Sequence, residues 1–466
     1  MSLPPTNETD SLTLTNDNDV QEAIYRRFTR TQRNAIVAIV SSCEALTLFL
    51  FWIVVSSTPT ITKDLATTPS MMGFSFSLSV LGASFGVLTG AAYSTFYGRR
   101  PIYLFCLPIM IISTIGVSSS YSVLQFITWR FIQTTCAVSM YPLGTAVIGD
   151  IYRLEERGRA IGTFSTVCYL AASAAPPVGG VLAEYISWRA AQNLLASVGT
   201  ILFIVVLFYL PETSHPGAIG IEKDSIDSLQ RPTWRPIFIN PLKPLWLLRS
   251  PNLFAITLTS CLMLLTQYVN IVSLPFTLTE HYKITNETII GIFIAMPAIG
   301  NFFASPIIGR ISDSVSIKWK IKRGGVWYPE DRLRASILGS LALAPLSMLT
   351  LGIVISYIGG TIGMVLSLIS LFINGVGVTF AIIPLLSYHI DVHSRSADCV
   401  AAHLAARAIF ISIATSGIIP MVDKFGILTT NIFSAMLAWI GFGLVVSTIR
   451  HGDQLRAWLD VGFVEY

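Results

Sequence analysis

The chain of 466 residues is 53 % hydrophobic and only 12 % charged, about half the charged share of an ordinary soluble protein, so little of it can be a solvated surface. A formal net charge of +4 is modest, and the 30 Lys and Arg fall in clusters between apolar runs rather than on one basic face, which argues against nucleic acid as a partner and for the lipid bilayer as solvent. Of the six cysteines, Cys43, Cys106, Cys136, Cys168 and Cys261 lie within apolar runs and Cys399 at the edge of one, with no CxxC spacing and no Cys/His cluster; a disulfide framework, a metal site and a cofactor are not expected.

In chain order, residues 1–33 are polar and lead into an apolar run too long for a signal-peptide core, so they read as a disordered cytosolic tail. Apolar stretches long enough to cross a hydrocarbon core as helices follow at 34–56, 71–93, 101–119, 122–147, 160–183 and 190–210, which places a first six-helix bundle over 34–211. The segment 212–251, rich in Pro and charge, reads as a cytosolic linker that lies along the membrane surface. A second bundle over 252–449 comes from stretches at 252–279, 288–309, 335–357, 361–388, 399–420 and 429–449, and 450–466 is a short cytosolic tail. The predicted fold is thus an all-α polytopic membrane protein of twelve transmembrane helices in two six-helix bundles.

Basic residues orient it. With the N-terminus inside, Lys63, Arg189, Lys283 and Lys424 fall outside, and every other Lys and Arg except Arg130 and Arg407 falls in a cytosolic segment. Both termini are expected in the cytosol, with the plasma membrane as the expected location. The sequon at Asn286 then lies in a short outer loop, where glycosylation is sterically open to question, and the one at Asn7 lies inside.

Several short motifs recur in a fixed order on this pattern. "GRR" at Gly98, Arg99 and Arg100 sits in the hairpin between spans 2 and 3; "RFIQT" runs from Arg130 to Thr134; "APPVGG" runs from Ala175 to Gly180 and contains Pro176, Gly179 and Gly180. "DIYRLEERGRAIG", "WR" at Trp188, "PET" at Pro211 and "GGVWYPEDRLRA" from Gly324 follow. Together they resemble the major facilitator superfamily, and within it the fungal twelve-span drug:proton antiporter branch. The resemblance covers nearly the whole chain and implies two pseudo-symmetric halves, a substrate cavity lined by spans 1, 4, 7 and 10, and transport by alternating access. Departures cluster in the first hairpin, where Ala91, Thr95 and Phe96 stand at the family's Gly, Asp and Arg positions, and in Ala175 and Thr134, which replace glycines. The second half keeps Gly309 and Asp313 in the corresponding G-x-x-x-D, an echo expected of an internal repeat. In the family the missing Asp takes part in a cytosolic latch; with Thr95 there the latch should be weaker, and Arg99 and Arg100 are left for topology and a contact with Asp150.

Polar groups inside the spans are few. A charge at mid-bilayer costs about 2.5 to 3.5 kcal/mol on insertion scales, so it persists where it faces a cavity or a partner. Glu44, Arg130, His403 and Arg407 meet that test, joined by Gln133, Gln267, Asn270 and Asn374. With the implied cavity, Glu44, Arg130, Gln133, Gln267, Asn270 and Asn374 are substrate-path candidates, with Glu44 or His403 as the group that takes up a proton; the alternatives are a Glu44–Arg130 lock between helices and hydrogen-bonded glue for the rest. Two arginines and a histidine against one glutamate favour an anionic or neutral substrate.

Other matches carry no chemistry. "GASFG" at Gly82 imitates a nucleophile elbow but lies inside span 2, where small residues serve packing. "HIDVH", 389–393, lacks a third ligand and reads as a loop. No P-loop occurs, so a gradient must supply the energy. The expected function is a monomeric, proton-coupled exporter of an organic acid or secondary metabolite, with multidrug:proton antiport of xenobiotics as the alternative and nutrient import as a third reading, which the lack of evident sugar-importer motifs disfavours. An enzyme would need a catalytic constellation that is not seen, and a sensor a longer cytosolic extension.

Overall fold

The computed structural model describes residues 27–152, 154–215, 220, 240–326, 328–392 and 396–458, with the side chains of 154–159, 396–398, 453, 457 and 458 outside the description. Among them are twelve helices long and apolar enough to cross a membrane. Spans 1 to 6 are Arg30–Ser56, Pro69–Tyr97, Arg99–Ser118, Val123–Ile151, Ala160–Tyr185 and Trp188–Tyr209. Spans 7 to 12 are Pro251–His281, Glu287–Lys322, Glu330–Tyr357, Gly360–Val392, Cys399–Ser416 and Ile418–Gly452.

Polar side chains start these helices where apolar sequence cannot. Thr29, Thr68, Ser122, Ser187 and Asn286 each accept a hydrogen bond from a backbone N–H in the first turn of spans 1, 2, 4, 6 and 8. Helices also outrun the apolar stretches that announced them. Span 8 continues from the expected 309 to Lys322, because its last turns are a charged helix in water, with Lys320 and Lys322 at the negative end of the helix dipole. Spans 11 and 12 divide at Gly417 rather than after 420, and span 12 bends at Gly426 (φ 81°). Hydropathy could not locate that turn, since the sequence stays apolar through it.

Glycine spacing sets the tightest packing. A Cβ at Gly82, Gly86 or Gly90 would lie 2.9, 2.4 and 2.1 Å from carbonyl oxygens of Phe131, Thr135 and Ser139 on span 4, so "GASFG" is a close-packing stripe. Most of the linker lies outside the described residues. Its last part forms a 3-10 helix, Lys243–Arg249, that packs Leu247 and Leu248 on a buried cluster holding Leu253, Tyr388 and Cys399.

The two halves meet most firmly toward the end where span 1 finishes and span 8 begins. Thr60 hydrogen-bonds Glu287, and Glu184 accepts from the Glu287 N–H at 2.9 Å. Ser77 bonds the Ser412 carbonyl while Ser412 Oγ bonds the Ser77 carbonyl at 2.8 Å, and Ser84 reaches the Ala405 carbonyl at 3.2 Å. Rings of Phe51, Trp52, Phe76 and Tyr268, from spans 1, 2 and 7, form a plug with centroids 4.9 to 6.4 Å apart.

Candidate functional site: a central cavity with one cation

Beneath that aromatic plug a cavity of about 260 Å³ lies between the halves. Trp52 and Tyr268 belong to both the plug and the cavity wall. Spans 1, 4, 5, 7, 8 and 11 line it, and its polar groups include Tyr141, Ser165, Tyr169, Gln267, Asn301 and Arg407. Arg407 is the one charged side chain in the lining, and its guanidinium has neither a hydrogen bond nor an ion pair to another described residue. At the end of the bundle where span 1 begins, a larger space of about 860 Å³ is bounded by Arg30, Asn34, Ala38, Ser41, Tyr152 and Thr163. Residues 34, 38 and 41 of this space and 48 and 52 of the central cavity recur at helical spacing along one face of span 1, so one stripe runs from that space to the cavity.

The sequence candidates separate into three environments. Arg407 and Gln267 face the cavity. With its amide nitrogen toward the carbonyls of Pro297 and Gly375, Asn301 accepts from Gln267 Nε2 at 3.1 Å, which fixes the Gln267 amide in the wall.

Arg130 and Gln133 instead sit inside the first bundle, 2 % and 0 % exposed. Arg130 donates to the Leu50 carbonyl at 2.9 Å, to the Phe51 carbonyl at 3.4 Å and to Gln133 Oε1 at 2.7 Å; Gln133 donates to Thr114 and to Gln192. Arg130 therefore does not pair with Glu44; carbonyls of span 1 take its charge, as the low-dielectric interior rewards. Asn270 and Asn374 bond each other at 3.5 Å within the second bundle, and Asn374 also reaches Thr266 and Ser347. Away from the central cavity, they tie spans 7, 9 and 10 together.

Glu44 and His403 are buried behind the cavity wall. Both carboxylate oxygens of Glu44 lack a hydrogen-bond partner in the described structure, and its charge would lie close to Tyr141 and Cys168 of the lining. His403 shares the Thr257 hydroxyl with His389, and the two imidazole rings are 4.3 Å apart. His389 belongs to "HIDVH", which is helical through Val392 instead of a loop, with His393 outside the described residues.

The motif residues form contacts at the helix ends and between helices. Arg99 Nε pairs with Asp150 at 3.1 Å and Arg99 Nη1 donates to Ser94 Oγ at 3.0 Å. Thr95 turns back to the Ala91 carbonyl, and Arg100 donates to the Leu207 carbonyl at 2.8 Å. Gly98 (φ 96°, ψ 172°) lets the chain present the N–H groups of Arg99 and Arg100 to Glu212 at 3.0 and 3.1 Å. Asp313 pairs with Arg332 at 3.3 Å, while Gly309 has open space where a Cβ would project. A Cβ on Gly179 would lie 2.3 Å from the Ile53 carbonyl, and one on Gly180 would lie 2.2 Å from the Glu287 carbonyl across the halves; the Pro176 carbonyl opposes Gly291 in the same way. Asn286 is the half-buried last residue of the loop before span 8; it caps that span through the Ile289 N–H and is followed by the buried Glu287.

The sequence model described as the Major Facilitator Superfamily matches residues 40–419. The chain belongs to the major facilitator superfamily. Among its relatives, the efflux pump FUB11 of Gibberella fujikuroi is 25 % identical over 408 residues, which cover 82 % of this chain and 68 % of the pump. The MFS-type transporter R5 of Phoma sp. is 23 % identical over 322 residues, 65 % of this chain and 60 % of that protein. The match to the MFS antiporter QDR3 of Candida albicans, 28 % identical, takes in 35 % of this chain and 24 % of QDR3. This chain thus spans about 60 to 68 % of the first two relatives. Among solved structures, a bacterial homolog to the human lysosomal transporter Spinster, in an inward-facing and unoccupied conformation, shares the fold with a TM-score of 0.67 at 12 % identity, over 92 % of this chain and 99 % of that one.

Within this superfamily fold, sequence reasoning overlooked four groups. Asn301 and Tyr169 reach the cavity from spans 8 and 5, outside spans 1, 4, 7, 10 and 11 that supplied the candidates; Glu212 was read only as part of "PET"; Thr257 is an ordinary residue of an apolar helix until two histidines close on it. For Glu212 the signal was available, since an acid after span 6 is a natural cap for the bare N-terminus of span 3.

Proposed function

We propose that this chain is a secondary transporter of the plasma membrane that exports a small organic acid or a carboxylate-bearing secondary metabolite by alternating access, coupled to protons. One observation carries the substrate class: Arg407 stands in the central cavity without an anionic partner among the described residues. A guanidinium in a low-dielectric site binds a planar carboxylate through two parallel hydrogen bonds, and the aromatic and apolar wall suits the remainder of a compact acid. The names of the relatives, efflux pumps among them, support export. For the coupling ion the supporting feature is Glu44, whose buried oxygens have no donor to offset an ionised charge.

The test compares extracellular metabolites of cells that carry the wild type, Arg407→Gln or Arg407→Lys at equal surface abundance. Export of an acid should fall at least tenfold in Arg407→Gln and be partly retained in Arg407→Lys. Glu44→Gln should reach the membrane yet lose the dependence of export on an imposed pH gradient. Unchanged acid export in Arg407→Gln would refute the substrate class, and an intact pH dependence in Glu44→Gln would refute the coupling site.

A further inference from the structure

The Arg407 reading leaves a second polar assembly unexplained one helical turn away. His403 precedes Arg407 by four residues on span 11, which places the two on one helix face. His403 is fully buried, as is His389 on span 10, and Thr257 of span 7 is 3 % exposed. Thr257 Oγ1 is 3.0 Å from His389 Nε2 and 3.2 Å from His403 Nδ1. His389 Nδ1 is 2.9 Å from the Leu385 carbonyl, an acceptor, so that nitrogen carries hydrogen and donates. The neutral ring then offers a lone pair at Nε2 to the Thr257 O–H, and the Thr257 oxygen accepts from His403 Nδ1–H; the Leu253 backbone also lies within hydrogen-bond reach of the His389 ring. One group remains over: His403 Nε2, buried and without a partner in the described structure.

The groups that face this assembly are few. From span 11 they are Arg407 and Cys399, from span 7 Cys261 and Asn252, and from span 10 Tyr388, whose hydroxyl meets Asn252 and Glu330, the latter paired with Arg456. Thr257, Cys261, Leu264 and Tyr268 follow one face of span 7, and Leu264 and Tyr268 line the cavity, so the histidines lie roughly 10 Å nearer the cytosol than the cavity floor.

The geometry points to a proton-holding relay, His403–Thr257–His389, whose occupancy is linked to the charge state of Arg407, so that a carboxylate bound at Arg407 draws a proton onto the histidines. This rests on the Arg407 reading for the ligand and adds the ion that accompanies it. The transfer balances: a proton arrives at His403 Nε2, His403 Nδ1–H passes its proton to the Thr257 oxygen, and Thr257 passes its own to His389 Nε2. His403 ends neutral with its hydrogen on Nε2, and His389 becomes the imidazolium. The linkage is Coulombic. An uncompensated guanidinium one turn away opposes a second positive charge, and an anion on that guanidinium removes the opposition.

The experiment needs no substrate. The full chain, labelled with ¹⁵N-histidine and held in lipid nanodiscs, is titrated by NMR; the two signals among six histidines are assigned by loss in His403→Gln and His389→Gln. Arg407→Gln, which mimics neutralisation, should raise the titration midpoint of the relay by about one pH unit, and Arg407→Lys should leave it near wild type. Thr257→Val should make His389 and His403 titrate independently, and Thr257→Ser should restore their joint curve. A midpoint unmoved in Arg407→Gln, or joint titration that survives Thr257→Val, overturns the relay. Because these readings are independent of export, loss of the carboxylate assignment with the linkage intact, and export without the linkage, are distinct results.

Discussion

At the end of the bundle where span 1 begins and span 12 finishes, the two halves solve one problem with different residues. In each, an arginine at the start of an odd-numbered span pairs with an aspartate at the end of the span that follows it: Arg99 with Asp150 at 3.1 Å, Arg332 with Asp391 at 2.9 Å. In the second half Arg332 also holds Asp313, the acid of the G-x-x-x-D. In the first half Thr95 occupies that place and Arg99 takes the neutral Ser94 hydroxyl instead. The first half's other acid, Glu212, is used on backbone: it receives the N–H groups of Arg99, Arg100 and Ser214. One end is therefore held by a side-chain ion network and the other by a capped helix start, and a sequence that loses an acid from a motif has not lost its closure.

If the first end depends on that cap, Gly98→Ala should cause the largest damage. Its φ of 96° with ψ of 172° is a conformation nearly confined to glycine, and the added Cβ would lie 2.6 Å from Glu212 Oε2. The strain amounts to about 1 to 3 kcal/mol before any loss of the cap. The matched control is Gly325→Ala in the second half, where φ is 102° but a Cβ would meet open space. In thermal unfolding of purified protein, Gly98→Ala should lower the midpoint by several degrees more than Gly325→Ala; equal shifts would mean that the Glu212 contact contributes nothing.

The ion networks come next. Arg332→Gln removes a cation shared by two acids, one of them 20 % exposed and the other 65 % exposed, so most of the loss falls on Asp391. Between the small worth of exposed pairs and the larger cost of breaking buried ones, about 2 kcal/mol is expected. Arg99→Gln leaves Asp150 beside a glutamine and should cost somewhat less, since Arg99 engages one acid. Thermal midpoints in the order wild type, Arg99→Gln, Arg332→Gln would support the comparison, and the reverse order would break it.

The same contrast explains what the sequence could disclose. Twelve apolar runs and a lopsided distribution of Lys and Arg made the span count readable, because length and hydrophobicity decide membrane insertion locally. Helix ends were less legible: span 8 runs on as a charged helix in water, and Gly417 turns the chain with no change in polarity. The site was legible only in part. Arg407 and Gln267 were named and do face the cavity, yet Arg130 and Gln133, equally polar and equally rare in such surroundings, turn into the first bundle, where Arg130 satisfies the carbonyls of Leu50 and Phe51 and Gln133 bonds Arg130, Thr114 and Gln192. Periodicity places a residue on a helix face, but which neighbour covers that face is a property of the tertiary packing. Thr257 shows the limit most plainly, since its role exists only where spans 7, 10 and 11 converge.

The smallest expected effect is also the most direct exchange between the two ends. Thr95→Asp would give the first half the acid that Asp313 provides in the second. Position 95 is exposed at the end of span 2, four residues before Arg99, and Thr95 now bonds only the Ala91 carbonyl of its own helix. A carboxylate there would share Arg99 with Asp150, as Asp313 shares Arg332 with Asp391. An exposed pair contributes about 0.5 kcal/mol, roughly a twofold change in a conformational equilibrium. Because only one half is altered, the added pair should favour whichever conformation keeps the end of span 2, the start of span 3 and the end of span 4 together, and the exchange rate between conformations should change about twofold. Transport assays at equal surface abundance would read this as a changed maximal rate with an unchanged apparent affinity, since residue 95 is remote from Arg407. A rate equal to wild type would mean that Ser94 and the Glu212 cap already provide all the closure that an acid at this position could add.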